Sequence, residues 1–232
     1  NQGVRSIHTD ENGMVWLGTN SAGLILVSEA VIKSTPPSFE LSKKVILGIY
    51  EDEFEGKWVG TVGHGVYNLV GDTKFQVNQA SGLSNNIVLS ITGKGDDIYV
   101  GTHMGLNKID RKTRVVDKSF HPGYQLESKS ITVLFKDAEG WIWIGTREAG
   151  LYYIDDTGVL KKAVLPESFV RISLIAAAED KKGIVYFGTR GGGIISVDKN
   201  QPSLKIIHHS DFPSDVVYTI FTDSEGTLWA SG

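Results

Sequence analysis

The residues best suited to chemistry follow a Gly-Thr dipeptide that recurs along the chain. They are Asn20, His64, His103, Arg147, Glu148 and Arg190. The guanidinium groups of Arg147 and Arg190 can hold a sulfate, uronate or other carboxylate through paired hydrogen bonds, and His103 or Asn20 can bond hydroxyl groups. These positions differ from copy to copy while Gly-Thr does not, which favours a surface addressed to one asymmetric ligand. The alternative is a set of ordinary solvated turns.

Catalytic and metal-binding patterns are not indicated. The histidines have no metal-ligand spacing, and the adjacent His208 and His209 are predicted to point to opposite sides of a strand. The triple glycine Gly191–Gly193 precedes a strand where a phosphate cradle needs a helix. No nucleophile elbow or Ser, His and Asp set is present. We therefore predict no enzymatic activity, no metal site and no cofactor.

Composition narrows the class of protein further. The 232 residues carry a net charge of −4 with both signs interspersed, so no nucleic-acid contact is expected. There are 27 glycines, 6 prolines and no cysteine, which indicates many turns and excludes disulfides and thiolate zinc sites. No stretch is long and apolar enough for a membrane helix, and the opening reads as strand. We expect a piece of a longer protein.

A repeat determines which elements position the candidate residues. The Gly-Thr step stands at residues 18, 60, 101, 145 and 188, and a sixth copy has Ser231 in the glycine position. Two places before each step is an aromatic residue: Trp16, Trp58, Tyr99, Trp143, Tyr186 and Trp229. Fourteen places before it is an aliphatic residue: Val4, Ile46, Ile87, Ile131, Leu174 and Val217. Eight places before it is an aspartate in five copies, Asp10, Asp52, Asp137, Asp180 and Asp223, with Gly93 in the remaining one.

Each copy predicts four short antiparallel strands, which is the pattern of one β-propeller blade. The aspartate is expected to bond backbone N–H groups of a tight hairpin, and the aromatic to pack between blades. We predict an all-β fold, a single propeller fragment over 1–232, with five complete blades and half of a sixth in an unfinished ring. The approximate blades are 1–43, 44–85, 86–128, 129–170 and 171–213, and the half blade is 214–232.

Three aromatic residues lie in the predicted loops that enter the next blade. They are Tyr124, Phe169 and Phe212. Aromatic rings can stack on the apolar faces of sugars, although residues at such places more often cap the core.

The stretches GLSNNIVLSITGKGDDIYVGTHMGLNKID and ITVLFKDAEGWIWIGTREAGLYYID resemble the two-component regulator propeller repeat. That repeat reads as Ser-Asn, an aliphatic run, Asp-x-x-Gly, an aromatic-aliphatic-Gly-Thr step and Gly-Leu. The resemblance implies the periplasmic sensor region of a hybrid two-component system of the kind found in gut Bacteroidetes. It also implies a parent protein with a membrane helix and a histidine kinase, and signalling in response to glycan breakdown products.

Three functions are therefore compared. The first is a non-catalytic sensor propeller that recognises an oligosaccharide or supports a homodimer of the parent protein. The second is a protein-interaction scaffold without a small-molecule ligand. The third is a propeller lyase or glycosidase, which is disfavoured because its acid and base cannot be named.

Overall fold

The computed structural model of the chain describes residues 3–27, 32–34, 41–118, 120, 126–127, 129–201, 203–209 and 211–232, with the backbone alone for 32–34. It forms two compact units, residues 1–120 and 121–232. All described sheets are antiparallel and connect strands in sequence order. The predicted all-β fold is therefore confirmed.

The first unit contains three sheets. The first sheet is formed by β1 (Val4–Thr9), β2 (Val15–Thr19), β3 (Leu24–Val27) and β4 (Ile32–Ser34). The second is formed by β5 (Ile46–Glu51), β6 (Lys57–Thr61), β7 (Val66–Val70) and β8 (Thr73–Val77), followed by a single 3-10 turn (Gln79–Ser81). The third is formed by β9 (Val88–Lys94), β10 (Asp97–Thr102) and β11 (Gly105–Asp110).

The second unit also contains three sheets. The fourth sheet is formed by β12 (Ile131–Lys136), β13 (Ile142–Thr146), β14 (Leu151–Ile154) and β15 (Leu160–Lys162), with a 3-10 turn after it (Glu167–Phe169). The fifth is formed by β16 (Ser173–Glu179), β17 (Ile184–Arg190), β18 (Ile194–Asp198) and β19 (Lys205–His209). The sixth is formed by β20 (Thr219–Thr222) and β21 (Leu228–Ser231).

The third sheet departs from the repeat in two ways. Its described residues give three strands, and a single bridge between Ile109 and Val116 stands where a fourth strand is expected. Its first hairpin closes in two residues, Gly95 and Asp96, because Lys94 pairs directly with Asp97. The shorter hairpin shifts the register, so Val88 takes the place predicted for Ile87.

The same shift corrects the place of Gly93. Gly93 pairs with Ile98, just as Glu51 pairs with Lys57 in the second sheet. Gly93 therefore stands one position before the aspartate site that the sequence assigned to it.

The repeated aspartate makes two kinds of hydrogen bond. One carboxylate oxygen accepts N–H groups two and four residues later, as predicted for the hairpin, at Asp10, Asp52, Asp180 and Asp223. The other oxygen accepts the indole N–H of the repeated tryptophan at 2.7–2.8 Å in the four sheets that have one, from Trp16, Trp58, Trp143 and Trp229. In the fifth sheet the Tyr186 hydroxyl donates to Asp180 at 3.3 Å. The aspartate thus orients the aromatic ring as well as closing the turn.

The glycine of the Gly-Thr step is required by close packing between sheets. A Cβ atom added at four of these glycines would lie 2.6–2.9 Å from an aliphatic side chain of the following sheet. The pairs are Gly18 with Ile46, Gly60 with Val88, Gly145 with Leu174 and Gly188 with Val217. Real Cβ atoms do not approach carbon atoms so closely, so this contact explains both the repeated glycine and the repeated aliphatic residue.

One lysine is buried between the fourth and fifth sheets. The Lys199 side chain is 1% exposed and its Nζ lies 2.5 Å from Oδ2 of Asp137. Glu179 and Glu139 lie at 3.4 and 3.6 Å. Burial alone would lower the pKa of Lys199, but the hydrogen bond and charge of Asp137, with the two glutamates, raise that pKa above its usual value. The ammonium group therefore stays charged.

Candidate functional site

The loops that carry the candidate residues have a common frame. In four sheets the hydroxyl of the buried threonine donates to a glycine carbonyl four residues later, at 2.7–2.9 Å. In three of them the same hydroxyl accepts an N–H three residues later. In the third sheet the Thr102 hydroxyl bonds the Gly105 carbonyl instead, because that loop is one residue shorter. Backbone and threonine set the loop shape, so the side chains between them are free to differ.

In the first unit two of the candidate residues, Asn20 and His103, occupy matching places. Asn20 and His103 each donate their backbone N–H at 3.0 Å to a carbonyl just before the first strand of their own sheet. The Asn20 amide oxygen accepts a hydrogen bond from Arg5 at 2.5 Å. The side chains of His64 and His103 are exposed. Asn20 is therefore already engaged within its sheet, whereas the two imidazoles face solvent.

In the second unit Arg147, Glu148 and Arg190 are exposed. Arg147 donates its backbone N–H to Ser130 at 3.0 Å, and Arg190 pairs with Ser173 at the end of its hairpin. Among the described residues none of these three side chains has a hydrogen-bond or ion-pair partner. The two guanidinium groups thus stand at equivalent places in successive sheets with their donors unused.

No hydrogen bond or ion pair joins any two of the six candidate side chains within the described part of the chain. The structure places Arg147 and Arg190 in neighbouring sheets of one unit, and Asn20, His64 and His103 in the other unit. An assembled site over all six residues remains a prediction.

Glu148 is held in a backbone conformation that favours glycine. Its φ is +83°, while the residues at the same loop position in the second and fifth sheets are Gly63, at +86°, and Gly191, at +118°. A side chain in the left-handed region costs free energy, and such strain is found preferentially at functional loops. The exposed carboxylate is therefore carried by a strained backbone position that glycine occupies in two other sheets.

Replacement of Glu148 with glycine is expected to raise the free energy of unfolding by about 1 kcal/mol, because glycine removes the left-handed strain. Urea unfolding followed by tryptophan fluorescence measures it. Arg147→Gly is the matched control in the same loop, and it should lower stability because ordinary φ there gains nothing from glycine. Equal losses in both variants would contradict the strain argument.

Beside the Arg147 loop lies an apolar cavity of about 250 Å³. Its walls are Ala149, Ala163, Val164, Leu165 and Val170, with Lys162 among the lining residues. Val164 is 90% exposed, more than any other large apolar side chain in the described part of the chain. A hydrogen bond from the Lys162 ammonium to Glu127, at 2.5 Å, raises the pKa of Lys162. The cavity is thus apolar inside and charged at its edge.

Beside the Arg190 loop lies a second cavity, of about 280 Å³ and more polar. Gly191–Gly193 form one side, and the loop is anchored because Gly191 and Gly193 donate to the Asp215 carbonyl at 2.8 and 2.9 Å. His208, Ser168 and Phe212 contribute polar and aromatic edges. The sequence had suggested Phe169 and Phe212 at this cavity as residues that stack on sugars, but it did not indicate Ser168 or Asp215, because the segments around residues 163–172 and 208–215 do not follow the repeat.

The loop aromatic residues that the structure describes lie in different environments. Phe169 is 2% exposed and packs edge-on against His208 with ring centroids 4.7 Å apart, so it belongs to the core while also contributing to the lining of the polar cavity. Phe212 is half-buried and borders the polar cavity. Tyr124 lies outside the described residues. The sequence alone did not distinguish between capping of the core and stacking on a sugar for these three residues.

The two adjacent histidines, His208 and His209, contact different neighbours. His208 contacts Phe169, whereas the His209 ring lies 2.9 Å from the Ser196 hydroxyl and beside Tyr186. Among the residues that the structure describes, no three His, Asp or Glu side chains are grouped as a metal site would need. His121 falls outside those residues.

Comparison with known proteins finds a family model that matches two segments of the chain. The two component regulator propeller model matches residues 125–148 and 211–232, which confirms the resemblance. No curated protein matches the chain in sequence. In the described part of the chain, no helix has the length and apolarity to cross a membrane.

Solved structures give the fold. The extracellular domain of a putative hybrid two component system from B. thetaiotaomicron is similar with a TM-score of 0.82 and 20% identity, over 98% of this chain and 32% of that chain. The corresponding domain of a putative one component system from the same organism gives 0.78 and 22%, over 98% and 31%. Virginiamycin B lyase from Staphylococcus aureus gives 0.77 and 12%, over 99% and 77%.

These similarities confirm the β-propeller architecture, and the six sheets are consistent with part of a propeller. The chain spans about a third of the length of the two B. thetaiotaomicron domains.

Proposed function

Because the chain carries the two-component regulator propeller repeat, we propose that it is a non-catalytic sensor propeller that binds an oligosaccharide through the loops of its second unit. The observation that carries the proposal is that Arg147 and Arg190, whose loops lie beside the two cavities, have no side-chain partner among the residues that the structure describes. The sensor role is supported by the similarity to extracellular domains of two-component systems.

The free state of the two arginines supports ligand binding. Several other cations of the chain have an acceptor within reach, as Lys57 has in Glu51 at 2.6 Å and Lys108 in Asp117 at 3.0 Å. A guanidinium group without an internal partner can give its planar fork of donors to a carboxylate or sulfate. An acidic sugar, such as a uronate or a sulfated residue, is the ligand that fits such donors.

The experiment is calorimetry on the 232-residue chain with a panel of neutral, uronate and sulfated oligosaccharides. We expect an acidic oligosaccharide to bind, and Arg147→Ala with Arg190→Ala to weaken it by at least tenfold, since a charge-assisted hydrogen bond contributes about 1.5–3 kcal/mol. Lys182→Ala is the control. Lys182 is an exposed cation in the Asp180–Gly183 turn, at the opposite end of the same sheet.

Two results would contradict the proposal. Absence of heat with every sugar of the panel, together with co-purification of a protein partner, would favour the interaction scaffold. Turnover of a panel member would favour the lyase or glycosidase.

The parent protein is proposed to be an inner-membrane hybrid sensor whose periplasmic region contains this chain as a fragment of a propeller, with blades at the boundaries given above. It is proposed to signal as a homodimer to a histidine kinase. The full-length gene tests this directly. A gene that encodes neither a membrane helix nor a kinase region would contradict the sensor assignment.

A further inference from the structure

The two cavities of the second unit share a wall. Val170 lines the apolar cavity, while Ser168, Phe169 and Ile172 line the polar one. All four belong to the connection between the fourth and fifth sheets, so one short segment separates the cavities. They therefore lie side by side, each beside the Gly-Thr loop of its own sheet.

The shared wall is held rigidly. Phe169 belongs to the same hydrophobic cluster as Trp143 and Phe187, and it is nearly fully buried. On its other side, a Cβ atom added at Gly192 would lie 2.6 Å from the Phe169 ring, so ring and loop are in close contact. Because wall and loop are packed, the two cavities are preformed and need no rearrangement to accept a ligand.

The cavities differ in chemistry. The apolar one offers aliphatic side chains, including the exposed Val164, and no polar side chain except Lys162 at its lining. The polar one has the polar residues His208, Asp215 and Ser168 in its lining. A ligand that fills both must join an apolar group to a hydroxylated one.

We propose that the two cavities form one binding groove for an oligosaccharide that carries an acyl substituent. The acyl group enters the apolar cavity, and the adjoining sugar ring enters the polar cavity, where Asp215 accepts hydrogen bonds from its hydroxyls. This proposal rests on the proposed oligosaccharide-binding function and adds the substituent that the site selects. Each volume, about 250 and 280 Å³, is close to the lower end of small-molecule sites, roughly 300 Å³.

The test uses matched pairs of acidic sugars that differ only in acylation. The first pair is O-acetylated tetragalacturonate and its saponified form, and the second is O-acetylated tetramannuronate and its saponified form. We expect the acylated member of at least one pair to bind the 232-residue chain about five- to tenfold more tightly, because its methyl group leaves water.

Two substitutions test which cavity binds the acyl group and which binds the sugar ring. Val164→Asp should abolish the difference within the pair without loss of folding, since Val164 is 90% exposed. Val159→Asp is its matched control, because Val159 is 52% exposed in the β14–β15 turn at the other end of the sheet. Asp215→Asn, which keeps the carbonyl that anchors the glycine loop, should weaken both members of the pair by the same factor, about tenfold.

The outcomes separate this inference from the proposed function. If acidic sugars bind but acylation changes affinity in neither pair, or if Val164→Asp and Val159→Asp behave alike, the acyl groove is wrong and the sensor function stands. If no sugar of the pairs or of the wider panel binds, both are wrong.

Discussion

Asparagine in place of Asp137 is expected to lower the free energy of unfolding by about 3–5 kcal/mol, the usual effect of breaking a buried ion pair. Asp137 accepts the backbone N–H of Trp141 and the indole N–H of Trp143, both at 2.8 Å, and the ammonium of Lys199. Asparagine has one acceptor oxygen in place of two and brings N–H groups toward other donors. The Lys199 charge would then be buried without its main counter-ion.

Urea unfolding followed by tryptophan fluorescence measures this loss. Asp52→Asn is the matched control, because Asp52 is also buried and accepts the equivalent indole from Trp58 without a lysine among its hydrogen-bond donors. Lys199→Met should cost less than Asp137→Asn, since the carboxylate would keep its N–H donors. If Asp137→Asn is no more harmful than Asp52→Asn, the buried ion pair contributes nothing to stability.

The second large effect is expected at the sheet-to-sheet contact. Alanine at Gly60 should destabilise the chain by about 1–3 kcal/mol, the typical cost of overpacking a filled core. The new Cβ would lie 2.6 Å from Val88 Cγ1, and Val88 is fully buried and stiff about its own Cα–Cβ bond. Relief therefore requires the third sheet to shift away from the second.

Gly48 provides a control within the same strand pair. It lies directly opposite Gly60 in the β5–β6 ladder, yet a Cβ atom there would meet nothing closer than 3.8 Å. Gly48→Ala should therefore be neutral, or stabilise the chain by up to about 1 kcal/mol through lower unfolded-state entropy. Thermal unfolding of the two variants compares them, and a similar loss in both would show that the contact with Val88 is not what selects glycine.

The fold was largely predictable because its determinants repeat. The hairpin aspartate, the paired strands and the glycine step each recur at a fixed place, and each has a local physical reason. The hydrogen bond that the Trp58 indole donates to Asp52 was not predicted, although the constant six-residue spacing of the two residues was visible in the sequence. The strand register of the third sheet was predicted wrongly. Its hairpin turn is several residues shorter than the others, but its strands are longer, so the spacing of the repeat in the sequence hardly changes.

The candidate site was less predictable, because its cavities are lined partly by connecting segments that do not follow the repeat. Sequence identified Arg147 and Arg190 by their variation between copies, and in the described part of the chain both are exposed and have no side-chain partner. It gave no sign of Val164 or Asp215, because cavities arise from how irregular connections pack against the loops. Only three-dimensional packing brings residues 149, 164 and 170 to one surface.

The threonine-closed loops have a consequence for how such a protein changes over generations. The residues that hold each loop in shape are the threonine hydroxyl and the glycine carbonyl, as with Thr146 and Gly150. The exposed side chains between them, such as those of Arg147 and Glu148, can be exchanged without loss of the frame, whereas a packed position such as Gly192 cannot. Ligand preference can therefore diverge rapidly among related chains while their folding free energy stays nearly constant.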